Sequence, residues 1–525
     1  MPRPLQINST TSVGRASLIL ALMIGVSRLT GFGRLIVASY FFGRGPATAA
    51  YVAAFNIPDT LAILISGGLL ATGFVPVFTR YLSAGETERA QRTFRALLTL
   101  MMVGFGGVTL FLFVLTFTPF GTLLAPDKVA PKFVGLYLHI LRILLAAQFL
   151  FVVGGVFAGT FNALRLFWFQ ALQPVFYNCG VIVFGILGAK AGIEWQAWGA
   201  LAGAFCGTVL MFVPAALRHG LSLRPLLDAR DEGVRRVASS FAPIVLGLAS
   251  GQIIALNLPR AFAKWLPSTA FASLDSANRL MQVPLDLLAS SVAVALFPTL
   301  SRLFIEGDDA ELRTSFDAAL ARINGAMLFA AAMLLVLAHP LVALLLEHGS
   351  FGAQDARETA FVLQCYALCL PALGAQQLLA RGFFATDRAR EPVWIGLGAM
   401  ALFLVLGGVA TQFPLAGGAS LALAAAVSTS VLSLLLWRSL QKHLNLDGAA
   451  AIRALGRGAL VALGAGIAAG LAVLVVGGLV AKFGFDTDLA PQGVKLVARA
   501  LVVAVGGGAG VGVWLTASRK FGPGK

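Results

Sequence analysis

Charge is scarce in this sequence, and negative charge is scarcer still. Only 12% of the 525 residues are Asp, Glu, Lys or Arg, and 39 basic residues face 23 acidic ones. Soluble domains carry about 25% charged residues, so a water-soluble globular chain is excluded. Histidine is rare, at 5 residues, and the extracytoplasmic loops hold no Asp/Glu/His cluster beyond "EHGSFGAQDARE". Integral-membrane enzymes need such clusters at the membrane surface, so an enzyme is not expected. The 4 cysteines, Cys179, Cys206, Cys365 and Cys369, lie in apolar stretches. No histidine stands at ligand spacing from Cys365 and Cys369, which read as packed core thiols, and neither a metal nor a cofactor is expected. No small-residue cleavage site closes the first apolar run, which is read as a retained span.

Apolar residues fill the space that charge leaves. They make up 58% of the chain, and the mean hydropathy is +0.86. A membrane span needs about 20 apolar residues. Fourteen such runs are expected, centred near residues 29, 62, 106, 148, 179, 206, 250, 289, 333, 370, 402, 427, 467 and 504. The net charge of +16 is spread through short loops, which fits a polytopic membrane protein and not a nucleic-acid binder. Roughly three quarters of the loop lysines and arginines lie at the termini or after even-numbered spans, which by the positive-inside bias puts both termini in the cytoplasm. The largest cytoplasmic loop, "RHGLSLRPLLDARDEGVRR", divides the chain. The expected domains are an N-terminal lobe over 1–225, a C-terminal lobe over 226–445, and two extra spans over 446–525.

The two lobes carry a repeat. "FVPVFTRYLSAGE" (Phe74–Glu86) ends span two, and "LFPTLSRLFIEGD" (Leu296–Asp308) ends span eight. Pro76 aligns with Pro298, Thr79 with Ser301, Arg80 with Arg302 and Gly85 with Gly307, and the same offset places Asn56 on Asn278. Six spans per half keep both halves in one orientation. The expected fold is therefore an all-α membrane protein of two six-helix lobes, related as parallel repeats about a pseudo-two-fold axis along the membrane normal, with two further C-terminal helices. Transporters built this way bind substrate between the repeats.

One stretch breaks the membrane pattern. "SRLTGFGRL" sets Arg28, Gly31, Gly33 and Arg34 inside the first span. An arginine near the bilayer centre costs roughly 2.5–3.5 kcal/mol on insertion scales, so such residues face something polar. Arg279 in span eight raises the same question.

"SRLTGFGRLIVASYFFGRGPATAAYVAAFNIP", followed by "GFVPVFTRY", resembles the opening of the MurJ/MviN lipid II flippases, of the multidrug/oligosaccharidyl-lipid/polysaccharide exporter superfamily. "FQALQPVFYNCGVI", "SANRLMQVP", "LFPTLSR", "LLEHGSF" and "GFFATDRAREPV" extend the resemblance along most of the chain. It implies a V-shaped pair of lobes, a central cationic cavity, and export of an undecaprenyl-diphosphate-linked sugar-peptide (lipid II) across the bacterial inner membrane. It also implies that the two extra spans form a groove for the lipid tail. By position it makes Arg28, Arg34 and Arg279 the cavity arginines. Several family acids are missing: Leu35, Ala49, Asn278 and Gln282 stand where acids are usual, and the arginine and glutamate usual in span two fall near Ala62 and Gly67. The span-seven acid that some members use for sodium has no match in "FAPIVLGLASGQIIALNLP".

A diphosphate cannot cross the hydrocarbon without a polar path, and guanidinium forks match phosphate oxygens. Arg28 and Arg34 lie about 9 Å apart along an ideal helix and point about 120° apart. A hinge at Gly31 and Gly33 would bring both into one cavity. Asp59 and Asp286 follow prolines in spans two and eight; they are read as counter-ions of the cavity arginines or as a proton-coupling site. Asn56 and Asn278 are further polar candidates. Arg142 is expected to snorkel from a helix end. Two other readings remain: a flippase for another polyprenyl-diphosphate glycan, and a non-transporting paralogue that scaffolds a cell-wall complex. Lipid and lipid-linked substrate are the expected partners.

Overall fold

The computed structural model describes residues 13–43, 45–59, 74–125, 129–164, 166–238, 253–254, 258–262, 265–267, 269–290, 292–293, 296, 300, 303–304, 306–386, 388, 390–415, 418–444, 448–483 and 492–521. The fold is all-α, with no strand among the described residues. Eight described helices are long and apolar enough to cross a membrane, or nine if one bent pair counts as a single span. The described helices thus give fewer than the fourteen spans expected. The centres of spans two and seven fall outside the described residues, as do Pro298, Ser301 and Arg302 of the repeat.

The chain divides into two compact units, Met1–Ala249 and Ser250–Lys525. The first holds α1 (Val13–Phe42), α2 (Pro46–Ala54), α3 (Val75–Ser83), α4 (Thr87–Leu115), α5 (Val134–Ala163) and α6 (Phe167–Leu187). Its last long helix, α7 (Glu194–Arg218), widens to a π-helix over Cys206–Phe212. Glycine lets α6 and α7 touch backbone to backbone. A Cβ on Gly199 would sit 2.3 Å from the Gly180 carbonyl oxygen, and one on Gly203 would sit 2.4 Å from that of Phe176. A buried polar relay ties three helices where α7 widens. Gln173 Nε2 donates to Thr208 Oγ1 at 3.2 Å, and Thr208 donates to the Leu150 carbonyl at 3.0 Å.

The charged loop after α7 is a strap and not a free linker. Residues 221–228 run extended along the start of α4. Gln91 clasps the strap from both sides: its Nε2 donates to the Gly220 carbonyl at 2.6 Å, and its Oε1 accepts from the Ser222 amide at 2.9 Å. Further on, Arg95 donates to the Arg224 carbonyl, Thr99 accepts from the Leu226 amide, and Arg92 pairs with Asp228 at 2.7 Å. Leu221, Val234 and Val237 join the core that Phe78, Phe94 and Phe161 form. The boundary expected at residue 225 therefore falls inside a segment sewn onto the first unit.

The second unit holds α8 (Leu258–Phe262), α9 (Thr269–Pro284), α10 (Asp309–Leu346), α11 (Ala353–Ala367), α12 (Leu370–Ala385), α13 (Glu391–Gln412), α14 (Ala419–Leu444), α15 (Gly448–Lys482) and α16 (Gln492–Phe521). α11 and α12 meet at a 44° bend. Pro371, in the first turn of α12, has no N–H to continue the ladder across it. α9 ends at Pro284 and passes into a π-helical turn, Leu285–Ser290.

α15 and α16 pack on each other and on α10. α15 turns Ala462, Ala465 and Ala469 inward, while Leu460, Leu463, Ile467, Leu471 and Leu474 lie exposed at helical spacing. That stripe suits lipid contact. The close approaches come from α16: a Cβ on Gly506 would lie 2.7 Å from Val473, and one on Gly510 would lie 2.4 Å from Met333. In the glycine-rich run of α15, Gly477 and Gly478 meet nothing within 4 Å.

Candidate substrate-binding site

In the first unit the candidate residues lie where α1 meets α6 and the end of α2. α1 runs as an unbroken helix through Gly31 and Gly33. The glycines admit α6: Cβ atoms there would lie 3.6 Å from Asn178 Nδ2 and 3.1 Å from Ile182. Asn178 donates to the Ser27 carbonyl at 3.2 Å and reaches Thr30 Oγ1 at 3.4 Å. This fixes the turn of α1 that carries Arg28, whose side chain lies outside the described residues. Arg34 is half-buried between two rings, its guanidinium 5.9 Å from the Phe55 centroid and 5.6 Å from that of Tyr177. Such contacts contribute about 0.5–2 kcal/mol, rising as water is excluded. Asn56 and Asp59 are half-buried just beyond α2, and the Asp59 amide bonds to the Phe55 carbonyl at 2.8 Å.

In the second unit α9 is buried at every position from Ala270 to Met281 except Arg279. It is a polar helix for a core: Ser273, Asp275, Ser276 and Asn278 are each at most 6% exposed. Arg279 Nε donates to Asp275 Oδ2 at 2.7 Å, one turn back along the helix. Gln282 donates to Asn278, so the two amides that stand where the resemblance places acids bond to one another. Asp286 sits half-buried in the π-helical turn.

The pairing of Arg279 with Asp275 was missed at the level of sequence. Its signal was the i, i+4 spacing, but attention fell on the positions where the family has acids. Two other intramembrane arginines have structural work. Arg142, expected to snorkel, instead caps α4: Nε donates to Thr116 Oγ1 at 2.8 Å, an outer nitrogen donates to the Thr116 carbonyl at 2.7 Å, and the guanidinium lies 3.8 Å from the Phe117 ring centroid. A cation is favourable at that helix end. Arg499 on α16 pairs with Glu347 at the end of α10 at 2.8 Å. Cys365 and Cys369 are buried free thiols, and among the described residues no group of three or more His, Cys, Asp or Glu could hold a metal ion.

A sequence profile described as "Lipid II flippase MurJ" matches residues 38–485. The chain belongs to the MurJ family. It is 30% identical over 437 residues to a probable lipid II flippase MurJ of Rhizobium meliloti, covering 79% of this chain and 78% of that one. It is 26% identical over 445 residues to the lipid II flippase MurJ of Burkholderia cenocepacia, covering 82% and 84%. The fold matches a solved MurJ structure in an inward closed conformation with a TM-score of 0.73, at 19% identity and over 96% of this chain and 98% of that one. An inward-facing multidrug transporter of the MOP superfamily matches with a TM-score of 0.66, at 16% identity and over 82% and 98%. This MurJ-family chain is a multi-pass membrane transporter and not an enzyme.

Proposed function

We propose that the chain moves lipid II, an undecaprenyl-diphosphate-linked peptidoglycan precursor, from the cytoplasmic to the outer leaflet of the bacterial inner membrane. The family match over residues 38–485 carries this reading. Arg28, Arg34 and Arg279 bind the diphosphate in a cationic cavity between an N-terminal and a C-terminal lobe, which opens to each side in turn. Residues 446–525 form the groove for the lipid tail. Arg279 supports the assignment, because it alone breaks the run of burial from Ala270 to Met281.

Both termini face the cytoplasm. Side-chain ties support this topology, since each joins segments that the basic-residue bias puts on one side. The α4 start meets the strap, and Glu391 meets Ser439 and His443, on the cytoplasmic face. Thr116 meets Arg142, and Glu347 meets Arg499, on the other.

The test is growth of a bacterium depleted of its own lipid II flippase. The wild-type chain restores growth, and Arg279→Ala reaches the membrane in normal amount but does not. Growth supported by Arg279→Ala would remove Arg279 as a headgroup ligand. Failure of the wild-type chain, with precursor exported for another glycan, would move the substrate to a different polyprenyl diphosphate.

A further inference from the structure

We infer that Asp275 is an exchange counter-ion, which neutralises Arg279 in the empty site and yields it to the substrate's diphosphate. The inference rests on the reading of Arg279 as a headgroup ligand. Its basis is the asymmetry of the pair. The Asp275 side chain is 8% exposed and that of Arg279 is 32% exposed. The anion is sunk in the helix core, and the cation reaches out. A carboxylate so buried keeps its charge only with a partner, and Nε of Arg279 is 2.7 Å away.

The neighbouring positions sharpen the point. Asn278 and Gln282, where the family resemblance places acids, are neutral and bonded to each other. The residue just before an arginine points about 100° away around a helix, whereas one four residues back lies on the same face. This chain thus carries its acid one turn lower, where a carboxylate meets Nε directly.

A transporter must release what it binds. An arginine held in a poor dielectric grips a diphosphate strongly, and a tethered carboxylate that competes for the same guanidinium weakens the grip and returns the cation to a neutral pair on release. Asp275 acts on the substrate through Arg279 and is therefore a positioning residue.

The experiment is equilibrium binding of undecaprenyl diphosphate to the purified full chain in lipid nanodiscs, with transport of the same lipid measured in vesicles. Asp275→Asn removes the competitor, and binding becomes roughly three- to tenfold tighter while turnover slows. Asp275→Glu, which still reaches Nε, falls between wild type and Asp275→Asn. Where Asp275→Asn fails to fold, Asp275→Ser combined with Ser276→Asp sets a carboxylate three residues before Arg279, on the same face, and brings affinity back toward wild type, relative to Asp275→Ser alone. A merely structural aspartate predicts weaker or unchanged binding in every variant that lacks the acid, and that result overturns the inference. If the wild-type chain binds no undecaprenyl diphosphate, the headgroup reading of Arg279 falls, and the exchange role falls with it.

Discussion

Gly85 and Gly307 make the same turn in the two units, at φ +75° and +74°. Each follows a helix end and precedes an acidic residue that opens the next helix. The amide of Glu86 bonds to the Tyr81 carbonyl at 2.8 Å, and that of Asp308 bonds to the Leu303 carbonyl at 3.1 Å. This is a left-handed helix cap, repeated at the offset that aligns the two halves. Nothing lies within 4 Å of a Cβ at either glycine, so the cost of a side chain there is backbone strain alone. Gly85→Ala and Gly307→Ala should each lower stability by about 1–2 kcal/mol, with Asn milder than Ala. Thermal unfolding in detergent would show it, and a neutral alanine at either site would contradict the shared turn.

An ion pair ties α16 to the end of α10. Arg499 donates to Glu347 at 2.8 Å and to the Ala343 carbonyl at 3.2 Å, with side chains only 12% and 17% exposed. Arg499→Ala leaves a carboxylate buried without its cation, so it should cost about 3 kcal/mol. The double variant with Glu347→Ala should cost less than the sum of the two single changes. Strict additivity in a double-mutant cycle would show that the pair does not hold α16 to α10.

The strap should come loose in a defined way. Gln91→Ala removes two hydrogen bonds at once, and trypsin should then cut faster at Arg230. Acid should act at a different point. The hydrogen bond from Arg92 holds the Asp228 carboxyl below the usual carboxylate range. A lowered value means that the contribution is complete above the ordinary pKa and fades as pH falls through the lowered one. Amide exchange of the strap, corrected for its intrinsic pH dependence, should stay flat between about pH 5 and 8 and rise only below about pH 4. A rise near neutral pH would point to a different group.

Coupling should not run through sodium. Among the polar residues of spans seven, eleven and twelve, Gln252, Asn257, Thr411, Gln412 and Thr429 offer only neutral oxygens, which bind sodium weakly against its hydration. Translocation in vesicles, with sodium and voltage varied separately, should follow voltage at roughly 2.3 kcal/mol per charge per 100 mV. If Asp59→Asn and Asp286→Asn abolish that dependence, the acids carry protons. A steep response to sodium at fixed voltage would refute the argument.

The all-α membrane fold was legible because apolar runs of span length leave few alternatives. The cost of charge inside such runs is what marks Arg34 and Arg279 as candidates, and the proposed sidedness rests on how lysine and arginine sort by loop. What sequence hid was pairing. Asp275 lies at the right spacing for Arg279, yet spacing does not say which of several polar neighbours wins. Arg142 looked like a snorkelling residue because the end of α4 that it caps belongs to another helix. The glycines of α1 read as a hinge, whereas their missing side chains make room for Asn178 and Ile182. The strap read as a divider because it is long and charged, and its few apolar residues find the core only once α4 is in place.

That strap also decides where the polypeptide can be severed. A gene split at residue 225 would strand Leu226, Asp228, Val234 and Val237 on the second fragment and strip the first of part of its own core. A split after Ala249, where the first unit ends, leaves the described stitches with the piece they belong to. The first fragment then keeps the core that its strap completes, and two separately translated halves divided there are the form in which this transporter should tolerate being made in parts.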